Sequence, residues 1–235
     1  MTDAANDTAA DLDQRQAQFR YGVVFLLVLT TLVFEVVTPD SAWVHGISIA
    51  LLFAALTVVV ATSRARGPVR RLRTGIVAGL ALVFVVGIVT GVFDTKVAFL
   101  VGTLVTASIP LALVGGLVRL IREEGVTLQA VAGALAIYLL VGLLFASVIA
   151  FVSVVESGSY FVQTTDATNA VRVYYSFTVL TTTGFGDYTA AKPVGHALAV
   201  LEMLTGQLYL VTVIGVVVGN FAGRRVRNPP DDGGS

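Results

Sequence analysis

Polar and apolar residues fall into long alternating blocks along this chain. Residues 21–37, 42–62, 75–93, 97–118, 126–155 and 194–222 form six stretches with at most one carboxylate each, separated by breaks such as Pro39-Asp40-Ser41 and Arg119 to Glu124. A helix crosses a hydrocarbon layer in roughly 20 residues, so each block predicts a spanning helix. The expected fold is all-α and integral to a membrane. The fifth block is longer than a bilayer core requires and predicts a tilted helix. Between the fifth and sixth blocks the pattern changes. Residues 156–172 are polar and rich in Ser and Thr, 173–181 form a run too short to cross, 182–187 are polar, and Lys192-Pro193 restarts the chain. That order predicts a re-entrant half-helix and loop between helices 5 and 6.

Charge then orients the blocks. Arginines at 15 and 20, 64 to 73, 119 and 122, and 224 to 227 all fall on one side of six alternating crossings. The positive-inside rule places that side, with both termini, in the cytoplasm of a cell membrane. Residues 1–18 lack the positive start and cleavage site of a signal peptide and read, like 224–235, as a cytoplasmic tail. Arg64, Arg66, Arg70, Arg71 and Arg73 can meet anionic headgroups, although retention of the loop inside is the simpler reading. Trp43 is expected at the interface, as are Glu35, His45 and His196, and Pro110 is expected to bend the fourth helix.

Composition narrows the function. With 56% hydrophobic and 13% charged residues the chain has about half the charge of a soluble domain. Lys plus Arg and Asp plus Glu both number 15, and no basic cluster has the aromatic interleaving of a nucleic-acid surface. The absence of cysteine excludes disulfides and thiolate metal sites. No nucleophile, base and oxyanion set can be assembled, so an enzyme and a resident cofactor are not expected.

The chemistry sits in Thr181-Thr182-Thr183-Gly184-Phe185-Gly186-Asp187. Carbonyls replace the hydration shell of a cation only if successive ones point at one axis. That requires ordinary and left-handed dihedrals in alternation, and Gly184 and Gly186 enter left-handed space without steric cost. The segment resembles the selectivity filter of the tetrameric potassium channel superfamily. The resemblance extends over Thr127 to Phe221 and, across the first four helices, only to their number. It implies K+ ligands from Thr182, Thr183, Gly184 and Phe185, with Gly186 completing the filter, Asp187 at the outer mouth, and Tyr174 and Tyr175 in an aromatic cuff behind it. Thr183 replaces the commonest valine and Phe185 the commonest tyrosine, which leaves the backbone ligands intact. The implied domains are a four-helix unit at 19–122 without sensor arginines and a pore domain at 123–223, with outer helix 126–155, pore helix 173–181, filter 182–187 and inner helix 194–222.

Four copies would close the carbonyl rings, so a homotetramer in a lipid bilayer is expected. Nothing charged lies between Lys96 and Arg119, where a voltage sensor would carry arginines; conduction independent of voltage is expected. Glu202 either touches the rear of the filter or clamps the pore helix, through Thr178 or nearby, with Thr181 among the supports. Gly206 is a hinge or a packing contact. Gln207, Val211, Ile214 and Val218 share one helical face, lining the cavity and gate or packing on the outer helix. The rivals are a cation channel passing sodium and potassium alike, a subunit of a potassium transporter, and a non-conducting membrane partner.

Overall fold

The computed structural model describes residues 21–39, positions 47, 51, 53, 54 and 57, and residues 95–220. The third block, most of the second, the arginines from 64 to 73, Trp43, His45 and both tails lie outside the described residues. Helix α1 covers Tyr21–Val37, α2 Thr95–Glu124, α3 Leu128–Val155, α4 Asn169–Leu180 and α5 Pro193–Leu208. The last continues through a π-helical segment, Tyr209–Ile214, and ends at Asn220. Among the described residues Phe99–Arg122, Leu128–Val155 and Pro193–Asn220 are long and apolar enough to cross a membrane, while α1 is apolar but shorter.

Local chemistry sets these boundaries. Gly125 turns the chain between α2 and α3 at φ 73°, and Thr127 caps α3 by accepting from the Ala130 amide. α2 runs unbroken through Pro110. Thr168 caps α4 by accepting from Val171 N at 3.2 Å, so this helix begins at Asn169 rather than at the expected 173. Pro193 opens α5, where its missing N–H costs nothing.

Two cores result. The larger joins α1, α2 and α3 through Val24, Val28, Ile109, Leu113, Ala134 and Leu140, all nearly inaccessible. Close approach here needs glycine, since a Cβ on Gly133 would stand 3.0 Å from the Tyr21 ring. The smaller gathers Ile149, Tyr160, Phe161, Tyr175 and Val179. α4 packs against both α3 and α5, and that short helix carries the 181–187 segment.

Candidate functional site

Three elements meet along α4. On α5, Glu202 and Gly206 stand one turn apart; on α4, Ser176 and Leu180 do the same. Ser176 and Glu202 are both 0% exposed, and the Ser176 hydroxyl makes a very short contact with Glu202 Oε1 and reaches Gly142 O on α3 at 2.7 Å. Gly206 lies against the end of α4, where an added Cβ would stand 2.2 Å from Leu180 O. Gln207 then donates through Nε2 to Thr182 Oγ1 at 3.0 Å. Glu202 thus meets α4 at Ser176, and Thr178 instead returns its hydroxyl to Tyr175 O at 2.8 Å within its own helix.

The segment itself departs from ordinary backbone at alternate residues. Thr182 has φ 56°, Gly184 φ 53° and Gly186 φ 80°, whereas Thr183 and Phe185 keep negative φ. An alternation of hands is the condition that successive carbonyls need if they are to face one side. The start is anchored by Thr182 N to Val179 O at 2.9 Å, and by Thr183 N and Gly184 N to Thr178 O at 2.9 and 3.1 Å. The Thr181 hydroxyl donates to Phe177 O at 2.7 Å, so its 2.8 Å contact with Thr183 Oγ1 is filled by the Thr183 hydrogen. Residues 181 to 187 are all exposed in the single chain. Such an array of carbonyls can coordinate a hard, weakly held cation; among the described residues no cluster of His, Asp and Glu could hold a metal ion.

The two adjacent tyrosines separate. Tyr174 stacks on Phe185 with centroids 6.3 Å apart and planes 5° from parallel, and meets Tyr188 edge-on. Tyr175 turns the other way, edge-on to Phe161 at 5.0 Å and to Tyr160 at 6.4 Å. The Ser/Thr-rich loop therefore contains a small aromatic core that a polar-loop reading misses; the Tyr160-Phe161 doublet was the available signal. An antiparallel bridge from Phe161 to Ala190 ties this loop to the chain leaving the site, and Gln163 pairs reciprocally with Thr189 at 3.0 and 2.9 Å. Asp187 accepts from Tyr188 N at 3.1 Å, and His196 Nε2 lies 2.8 Å from Ala190 O. Burial pushes the Tyr160 hydroxyl well above its ordinary range.

Lower on α5 the expected stripe breaks. Gln207, Val211 and Val218 are exposed in the single chain, while Ile214 packs with Tyr209 and Val213 against the main core. The π-helical winding from Tyr209 to Ile214 changes the phase that regular helical spacing assumed. Tyr209 holds it to α3 by donating to Ala134 O at 2.7 Å.

A family model described as an ion channel matches residues 135–222, which begins on α3 and runs through α4, the 181–187 segment and α5. No curated protein and no solved structure matches the chain. The match and the apolar helices support a membrane protein with ion channel activity.

Proposed function

We propose that four copies of this chain form a potassium-selective channel in which the carbonyls of Thr182, Thr183, Gly184 and Phe185 replace the hydration shell of K+. The alternation of handed dihedrals at Thr182, Gly184 and Gly186 carries this reading. Thr182 weighs most, because a β-branched residue adopts positive φ only where its surroundings enforce it. α4 is then the re-entrant pore helix, its C-terminal dipole end favouring a cation in the cavity below. α3 is the outer helix and α5 the inner helix.

A channel that passes sodium and potassium alike is the second reading, motivated by the extra oxygen of Thr183. The observation favouring potassium is that this hydroxyl is tied to Thr181 and through it to Phe177 O, which holds it to the pore helix. Reversal potential in planar bilayers under opposed potassium and sodium gradients tests the choice. A value near the potassium equilibrium is expected. A value near zero would establish the non-selective reading, and no current from well-folded protein would remove both.

A further inference from the structure

Glu202 is inaccessible, and its Oε2 is buried without a hydrogen-bond partner among the described residues. Its other oxygen touches the Ser176 hydroxyl, which also lies 2.7 Å from Gly142 O. Hydrogens can be counted here. A serine hydroxyl owns one, and it cannot be given to two acceptors at full strength. If Glu202 were ionised, one of these two short oxygen pairs would face each other without a hydrogen. A proton on Glu202 Oε1 removes the conflict: the acid donates to Ser176 Oγ, and Ser176 donates to Gly142 O. The remaining Oε2 is then a carbonyl oxygen rather than half of a dry carboxylate, a far smaller penalty.

We infer that Glu202 is an un-ionised carboxylic acid that serves as a positioning residue, donating the first hydrogen bond of a relay that locks α4, and so the 182–186 segment, between α5 and α3. Among the described residues the titratable groups that its charge reaches are the hydroxyls of Tyr138 on α3, Tyr175 on α4 and Tyr160 in the loop, and none of these supplies positive charge. The relay crosses all three elements. Gly206, one turn beyond Glu202, completes the same contact face through Leu180 O.

The protonation follows from hydrogen counting alone, whereas the consequence for conduction rests on the filter reading. The test therefore has two arms on the full-length protein in liposomes. Infrared spectroscopy at neutral pH should show the carbonyl stretch of an un-ionised acid, absent in Glu202→Gln and displaced in Ser176→Ala, where the partner is lost. No such band in the wild type, or a band unchanged in Glu202→Gln, overturns the inference. Should Glu202→Gln fail to fold, Glu202→Asp replaces it, and an undisplaced band there has the same force. In potassium flux, Glu202→Ala should lose roughly ten-fold or more, while Glu202→Gln, whose amide can donate to Ser176, should stay close to the wild type. A glutamine variant as poor as the alanine one refutes positioning. Absence of flux in every variant overturns the filter reading instead, and the infrared band still decides the protonation.

Discussion

At the scale of single residues, strain and burial make separable predictions. Among the described residues no atom lies within 4 Å of the place a Cβ on Gly184 would take, yet its φ is 53°. Gly184→Ala should therefore be costly through its dihedral alone, about 1–2 kcal/mol per chain, and on the filter reading it should abolish selective conduction. Unchanged selectivity in bi-ionic recordings would contradict this. Tyr160 differs, because its hydroxyl is buried without a partner among the described residues. Burial raises its folded pKa above the ordinary 10.0, so its contribution to stability is fully present below that pH and is lost as pH rises beyond it. Tyr160→Phe should hold stability at neutral pH and lose less of it above pH 10.0, read by thermal melting across the alkaline range. Gly184 and Gly186 were legible in the sequence, since only glycine enters left-handed space freely. Thr182 was not, because its dihedral is imposed by neighbours rather than by its own preference. Ser176 was missed as the partner of Glu202 for a similar reason. It lies two residues from Thr178, on the far side of the helix, and only the matching one-turn spacings of Ser176 with Leu180 and Glu202 with Gly206 point to it.

Helix against helix, side-chain size decides the fit. A Cβ on Gly142 would stand 2.6 Å from the Phe177 ring, and Gly142 also supplies the carbonyl that anchors Ser176. Gly142→Ala should destabilise by about 1–3 kcal/mol. Phe177→Leu in the same chain should recover part of that, so a double-mutant cycle on detergent-solubilised protein should give a non-additive pair; additive losses would mean that the two residues do not share the contact. The long helices could be read from the sequence because hydropathy alone marks them. The start of α4 was readable in principle, since Thr168 has the side chain of an N-cap, although the apolar run beginning at Val173 drew the boundary inward. The buried loop residues Tyr160 and Phe161 carry no periodicity, and their core forms only through contacts with α3, α4 and the chain at Ala190.

For the molecule as a whole, charge placement matters most. α2 carries no charge from Val97 to Val118, so no gating charge rides on it through a membrane field. On the channel reading proposed above, open probability recorded over physiological potentials should change little; a steep curve would contradict this. One feature low in α5 has a different consequence. The winding from Tyr209 to Ile214 accommodates one residue more than an α-helix of the same height, which makes it an inserted residue absorbed without shifting what lies beyond. Deleting Val211, which is exposed, should let the helix rewind as α with Glu202 and Gly206 still facing α4 and Val217 still buried. Deleting Val200 instead should swing Lys192 to Ala199 by about 100° relative to Glu202, tearing the loop bridge away. Cell-surface yield of the two deletions would separate a tolerated register from a broken one, and it makes the lower end of this helix the place where the chain can change length without losing its site.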